Sequence, residues 1–352
     1  MITREAIKDI IKAGTMAPSG DNSQPWRFEV EGDKVVIILV DKDIALINYR
    51  LRGTLMAHGA ALENMRLAAA AKGLDSQISV LMDKEKIASI RFFDGRVAED
   101  DKELAKYIPS RVTNHKPFKK VPLPVDFVEF LEKETGTVGG GVVSLTQDQR
   151  TVRDIGKLSG VFERVVLEFP PLHRVFFDHV VWSEEEELQK HTGLYVKTLE
   201  LSPPEEFGFG LYRSSKTARV LNALGFSRLI AAQNGRLYGE SGSIIGLSAA
   251  SDNDAEYITL GRLLERIWLR CHQFGLSAQP LTGVQFLNQT LRGEGPGGFM
   301  PGHVAMVEKA YDKIASLLQV QKGETLAFML RVGYSDPPSA RSTRLPPQIM
   351  FK

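Results

Sequence analysis

Apolar residues change period early in the chain. Ile7, Ile10, Ile11 and Met16, spaced at three, four and five residues, predict an amphipathic helix with Thr3 as its N-cap. Phe28 and Val30 then alternate with polar residues. Beyond a Glu31-Gly32-Asp33 turn, the run from Val35 to Val40 predicts the other strand of a hairpin. Later stretches predict a helix entered through Pro122-Leu123-Pro124, a helix over Val161 to Phe169 and a helix starting in the acidic run Glu184 to Glu187. Strands are expected at Ile244, Ile245 and Leu247 and from Thr325 to Val332, and a helix carries Met306, Ala310, Ile314 and Leu317. Gly293 to Gly298 resembles a phosphate loop, but no strand leads into it and Pro296 lacks a donor, so it is read as a flexible link.

Two long helical stretches repeat one another. Residues 59–74 read GAALENMRLAAAAKGL and residues 261–276 read GRLLERIWLRCHQFGL. At a fixed offset of 202, Gly59 pairs with Gly261, Leu62 with Leu264, Glu63 with Glu265, Leu67 with Leu269, and Gly73-Leu74 with Gly275-Leu276. Helices over 54–73 and 258–274 are therefore expected to pack on each other at the centre, each closed by a left-handed glycine. A second pairing, at an offset of 120, lays Ile7, Ile10 and Ile11 on Phe127, Phe130 and Leu131. The chain reads as an internal duplication with halves 1–106 and 107–352 fused into one body, the second half carrying an insertion over about 150–240. Within that insertion, Phe207, Phe209 and Tyr212, flexed at Gly208 and Gly210, can cover a site; the alternative is an extra packed helical layer.

The stretch Ala17 to Trp26 links the first helix to the first strand. Pro18 and Pro25 stiffen it, Gly20 lets a backbone come close, and Ser19, Asn22 and Gln24 offer short donors and acceptors, as in a ligand-gripping loop. APSGDNSQPWRF resembles the signature loop of the nitroreductase family of FMN-dependent oxidoreductases. That resemblance implies an α+β, nitroreductase-like fold. Members of the family are homodimers with FMN at the subunit interface, so two pseudo-repeats imply an intrachain pseudo-dimer that builds the interface within one chain.

The resemblance also assigns cofactor contacts, and the two halves complement each other in supplying them. Pro18, Ser19, Gly20 and Asn22 come from the first half, whose counterpart in the second half is the Gly136 to Gly141 stretch without those polar groups. The family's phosphate segment is matched by Ser110 to Phe118 followed by Val121-Pro122, which puts Arg111, Val112, Thr113 and His115 on the cofactor; the first half has no room for it. Arg111 and Thr113 suit a phosphate dianion as a guanidinium fork and a hydroxyl. His115, or Lys116 in a register shifted by one, is the cation expected near the pyrimidine end of the flavin. After the second repeated helix, Pro280-Leu281-Thr282-Gly283 matches the family's Pro-x-x-Gly, and the backbone N–H groups of Thr282 and Gly283 are expected near flavin N5. The first half has Asp75 to Ser79 at that place, with neither Pro nor Gly. Arg341 and Arg344, in a tail of prolines and basic residues ending in Leu345-Pro346, resemble the family's phosphate-binding tail, with a solvated basic tail as the competing reading. One complete site and one FMN per chain are implied.

Composition changes this picture little. A net charge of +1 gives no electrostatic footprint for nucleic acid, and no metal spacing or P-loop, HExxH or CxxC motif is present. The single cysteine, Cys271, is expected in the core. No apolar run approaches membrane-spanning length and no signal-peptide stretch opens the sequence, which predicts a cytoplasmic protein. A monomer is expected to suffice, with a homo-oligomer left open. The function implied is electron transfer from NAD(P)H through FMN to a small-molecule acceptor such as a nitroaromatic or quinone, in a ping-pong scheme needing no catalytic side chain and no metal. The alternative is a flavin-sequestering protein whose insertion seals the ring.

Overall fold

The computed structural model describes residues 2–40 and 45–352; Met1 and residues 41–44 lie outside that description. Thr3 caps α1 (Arg4–Gly14) by accepting the Ala6 N–H at 3.2 Å, and Ile7, Ile10 and Ile11 are buried. Met16 lies beyond the helix end. A hairpin of β1 (Trp26–Glu31) and β2 (Lys34–Leu39) follows, then α2 (Arg52–Ala71) and a second hairpin of β3 (Leu74–Asp83) and β4 (Lys86–Asp94). The short α3 (Glu99–Ala105) leads on to α4 (Val125–Val138) and β5 (Val142–Thr146).

The insertion comprises α5 (Gln149–Ser159), α6 (Val161–Glu168), α7 (Pro170–Asp178), β6 (Val180–Val181), α8 (Glu184–Lys190), β7 (Leu194–Tyr195), α9 (Pro203–Leu211), α10 (Ser215–Ala223) and α11 (Phe226–Tyr238). The chain returns through β8 (Ser243–Ala249), α12 (Asp254–Gln273), β9 (Ser277–Pro280), α13 (Gly283–Glu294), α14 (Pro301–Leu317), β10 (Thr325–Gly333) and β11 (Ile349–Phe351). Gly293 and Glu294, expected in a flexible link, instead close α13, where the Tyr49 ring packs on Gly293.

The two larger sheets share one topology. The first runs β11-β1-β2-β4-β3 and the second β5-β8-β10-β9. Leaving β11 aside, each orders its strands first, second, fourth, third along the chain, with antiparallel neighbours and a 20-residue helix between second and third. What differs is the connections. The tight turns of the first sheet become, in the second, the α5–α11 insertion between β5 and β8 and the α13–α14 pair between β9 and β10.

At the centre α2 crosses α12 with no side chain between their backbones. A Cβ on Gly59 would stand 2.0 Å from the Ile258 carbonyl oxygen, and one on Gly261 1.9 Å from that of Met56. Both helices end as the Gly-Leu pattern predicts: Gly73 and Gly275 have φ of +78° and +67°, and Leu276 N–H returns to the Cys271 carbonyl at 2.7 Å. Cys271 is buried. One apolar core runs from Ile11 and Phe28 through Leu62 to Leu263, Trp268 and Leu330.

The insertion is held against itself by close backbone packing. Gly156 and Gly160 meet α11, where a Cβ would come within 2.3 Å of Gly239 N and of the Ala231 carbonyl oxygen respectively. Phe207, Phe209 and Tyr212 do not cover a site: Phe207 points to solvent, Phe209 stacks among Phe176, Phe177 and Trp182, and Tyr212 is buried beneath them. Gly208 and Gly210 belong to or end the regular helix α9 rather than a flexing hinge, because a Ser202 capping box and Pro203 at its first position fix its start. Among the described residues no helix is long and apolar enough to cross a membrane, and no cluster of His, Cys, Asp and Glu is arranged to hold a metal.

Candidate functional site

Beside the α2–α12 crossing lies a cavity of about 620 Å³. Met56 and Ala57 of α2 and Leu264 and Trp268 of α12 line it. It gathers Pro18, Ser19, Gly20 and Asn22, then Arg111, Val112, Thr113 and His115, then Pro280, Thr282 and Gly283, and finally Arg341 and Arg344. Leu281 is the one residue of the expected set outside the lining. Its side chain packs instead in the core with Val152, Ile155 and Val284, and its N–H donates to the Met329 carbonyl.

Each segment is tied in place by its own residues. In the loop, Asp21, Asn22 and Gln24 take left-handed φ of 46°, 53° and 51°, which Asp and Asn tolerate better than most residues. Gln24 is held there by its side chain, which donates to the His191 carbonyl at 2.6 Å and accepts the Leu345 N–H at 2.9 Å. Gly20 is not left-handed and has open space where a Cβ would go, so the loop's conformation rests on the residues after it. The segment 111–115 is laced to β9 and to the end of α12: Thr113 bridges Ala278, Asn114 N–H donates to the Ala278 carbonyl at 3.1 Å, and Val112 N–H donates to Nε2 of His272 on α12 at 3.1 Å. The tail is fixed by Thr343, whose N–H and hydroxyl both donate to Glu187 of α8, at 2.5 and 2.8 Å.

Asn22 is where the loop, the tail and the C-terminal end of α8 meet. Its amide donates to the carbonyls of His191 and Thr343 at 3.2 and 3.1 Å, and its oxygen accepts from Arg344 Nη1 at 2.9 Å. Arg341 Nη2 reaches the carbonyls of Pro109 and Arg111, each at 2.8 Å. Arg111 is buried, donates to the Met16 carbonyl at 2.8 Å and lies 4.8 Å from the Trp268 ring. The three guanidinium groups are close enough to repel one another, and among the described residues the carboxylate in ion-pair range of them is Glu265, 3.4 Å from Arg111 Nε. Burial first, then Arg111 and Arg341, push Arg344 down to about 9; burial and Arg341 also lower Arg111. The Nε atoms of Arg111 and Arg344 are buried without a hydrogen-bond partner. Such a cluster has the charge and donors to receive a compact anion.

His115 lines the cavity but is not the cation expected there. Its Nδ1 sits 2.7 Å from the Thr198 carbonyl, and burial together with Arg331 pulls its pKa to about 4, so the ring is neutral at pH 7. Lys116 is bonded to the Pro337 carbonyl at 2.7 Å and does not line the cavity.

No family model matches the chain. Over 128 residues, 35% of this chain and 38% of the relative, it is 34% identical to "Putative NAD(P)H nitroreductase acg" of Mycobacterium tuberculosis. The chain is related to nitroreductase-type proteins. It is also 25% identical over 343 residues, 95% of its length and 46% of the relative's, to "Uncharacterized protein MT1398" of the same organism. The chain thus spans less than half the length of either curated relative. Among solved structures it is similar to an FMN-dependent nitroreductase of Clostridium difficile R20291, with 13% identity and a TM-score of 0.37 over 70% of this chain and 96% of that one. The FMN-dependent nitroreductase NfnB of Mycobacterium smegmatis in complex with NADPH matches at 15% identity and 0.35, over 66% and 88%.

The aromatic wall of the cavity, Phe162 of α6, Phe176 of α7 and Phe286 of α13, is not among the residues expected from the sequence. Phe162 packs directly on Gly283, where a Cβ would come within 2.0 Å of its ring. Nothing in the spacing of isolated phenylalanines marks them as lining residues; only the Gly at 283 hints at a close neighbour.

At the offset of 202, cavity-lining Trp268 pairs with Arg66 and its neighbour Glu265 with Glu63, and around Glu63 the space is filled by ions. Glu63 accepts from Arg66, Arg262 and Arg266 at 2.9, 3.0 and 3.0 Å. Asp101 accepts from Arg66 and Arg266, and Glu134 from Arg266 and Arg270. The stretch after α4 closes in as well: a Cβ on Gly140 would lie 3.0 Å from Thr259, which pairs with cavity-lining Ala57 at the same offset, and one on Gly141 would lie 2.8 Å from Leu260.

Proposed function

We propose that this cavity holds one FMN and that the chain transfers electrons from NAD(P)H to a small-molecule acceptor by a ping-pong mechanism. The observation that carries this reading is the convergence of four segments, 18–22, 111–115, 280–283 and 341–344, on one cavity with three arginines at one place and an aromatic wall at another. The residues fit the group. Arg111, Arg341 and Arg344 bring three guanidinium groups to the lining and Thr113 a hydroxyl-bearing residue, the donor types that suit a phosphate.

When bound, FMN would supply the hydride-accepting and electron-releasing chemistry of the flavin ring. The chain's part is position and electrostatics. The loop at Pro18 to Asn22 and the β9–α13 junction bound the space from different segments. Thr282 and Gly283 open α13, whose first N–H groups have no partner within the helix and can donate to a developing negative charge. The aromatic wall excludes water and favours a flat, apolar acceptor. The sequestering alternative is favoured by one contact, the Phe162 ring seated on Gly283.

Mixing the yellow protein with NADH or NADPH under nitrogen separates the two. Rapid loss of flavin absorbance, restored by a nitroaromatic or quinone, is expected for the reductase; persistent colour would establish sequestration. A colourless preparation that takes up no added FMN would overturn both.

A further inference from the structure

Glu265 is fully buried on α12, and neither carboxylate oxygen has a hydrogen-bond partner. Its nearest cation is Arg111 of the cavity wall, 3.4 Å away, whose Nε is also without a hydrogen bond. Glu63, its partner at the offset of 202, accepts from three arginines. The same offset replaces those donors, Arg66, Arg262 and Arg266, by Trp268, Ala60 and Asn64 around Glu265. A buried carboxylate left with one guanidinium at 3.4 Å and an amide beside it on the cavity side, where its counterpart is bonded by three arginines, is not explained by packing, since a buried ion with so few partners is costly.

We infer that Glu265 is a proton-linked counter-ion of the cavity, neutralising Arg111 in the free protein and taking up a proton from solvent when an anionic group of the ligand engages that guanidinium. This rests on the cofactor reading above. The charged and titratable groups facing Glu265 are Arg111 from the 111–115 segment, Arg344 from the tail and Glu63 from α2, with the Asn64 amide beside it; Arg341 and His272 act on it through Arg111. His272 is held neutral, its pKa near 4, by burial and Arg111. Burial raises the Glu265 pKa to about 7 against the opposing pull of Arg111. An anion on Arg111 weakens that pull, so the carboxyl gains its proton near neutral pH, and by reciprocity the anion binds more tightly as pH falls. A phosphate monoester itself begins to protonate near pH 6, which confines the effect to about pH 6.5–8.

The test is calorimetric titration of the flavin-free full chain with FMN at pH 7 in two buffers of different ionisation enthalpy, with riboflavin, which lacks the phosphate, as the comparison. FMN binding is expected to take up a fraction of a proton and riboflavin none, and the FMN Kd is expected to fall by up to about tenfold per pH unit from pH 8 downward. Glu265→Gln, which mimics the protonated form, is expected to abolish proton uptake, flatten the pH dependence and bind FMN up to about tenfold tighter than wild type at pH 8. Uptake by riboflavin equal to that by FMN, FMN binding without uptake, or weaker FMN binding by Glu265→Gln at pH 8 would each overturn the inference; a purely structural role gives that last result. Should the variant not fold, the comparison of FMN with riboflavin on the wild-type chain decides alone. Absence of FMN binding, read separately by flavin fluorescence, would instead remove the cofactor reading beneath it.

Discussion

Gly59 and Gly261 each press an α-carbon onto the partner helix's backbone, Gly59 against the carbonyl of Ile258 and Gly261 against that of Met56. Ile258 and Met56 are themselves separated by the same 202 residues, so the two contacts exchange under a single pseudo-two-fold relation. This crossing sets how closely α2 and α12 approach, and both helices line the cavity.

Alanine at either glycine is therefore expected to be severe. Adding methylenes to a packed interior costs about 1–3 kcal/mol, and a backbone carbonyl cannot step aside as a side chain can, so each variant should lose about 3 kcal/mol or more. Chemical denaturation midpoints measure this. Because both methyls force apart the same pair of helices, the double variant should lose less than the sum of the singles.

Glu63 and Glu265 should respond unequally to amidation. Burial resists ionisation of Glu63, but Arg66, Arg262 and Arg266 together hold its carboxyl well below the usual range. Glu63→Gln leaves buried arginines short of a counter-charge and is expected to cost about 3–5 kcal/mol. Glu265→Gln removes a single 3.4 Å ion pair and is expected to cost clearly less than Glu63→Gln at pH 7. Paired denaturation curves on the two variants check the contrast.

For the anion cluster, Arg111→Ala and Arg344→Ala should each weaken FMN by roughly 10- to 100-fold, the size of one charge-assisted hydrogen bond, while leaving riboflavin binding much less affected. Fluorescence titration of both flavins reads the difference. Equal losses for the two would mean that the arginines support the fold of the cavity and not the phosphate.

Acid should destabilise the chain through its neutral histidines. His58, His115 and His272 are each lowered from 6.5 to about 4, mainly by burial. The unfolded chain takes up protons below about pH 6.5 while the folded chain declines them until about pH 4. The histidines' contribution to stability is thus lost as pH falls through that window, with a limiting slope of about 1.4 kcal/mol per pH unit for each ring, opposed in part by Glu265, whose pKa raised to about 7 adds stability as pH falls. Denaturation midpoints at pH 7, 6 and 5 test the trend, and His115→Gln should make it shallower.

Much of this architecture was legible from local pattern. The Gly-Leu endings gave both central helices to within a few residues, and Thr3 gave the start of α1, because caps and apolar periodicity act over one or two turns. The 18–22 segment was readable as a ligand-gripping loop because short polar loops carry chemistry in their residue types, whereas 111–115 and 341–344 were singled out through the family resemblance. Helix α13 was not readable. Its buried face includes Gln285, Asn288, Gln289 and Thr290, so the apolar period that betrays a core helix is missing, and its glycines suggest a link. The role of Asn22 was also hidden, since its partners His191, Thr343 and Arg344 lie in segments far along the chain and only the tertiary fold brings them together.

Strand β11 pairs in parallel with β1, matching Phe28 to Ile349. During translation the outer edge of β1 must wait for the residues of β11 to leave the ribosome. At 5–20 residues per second that delay is on the order of tens of seconds, with an unpaired edge open to the wrong strand throughout. Arg341 and Arg344 reach the site in the same late stretch, so a nascent chain can assemble its central helices long before it is able to grip a ligand.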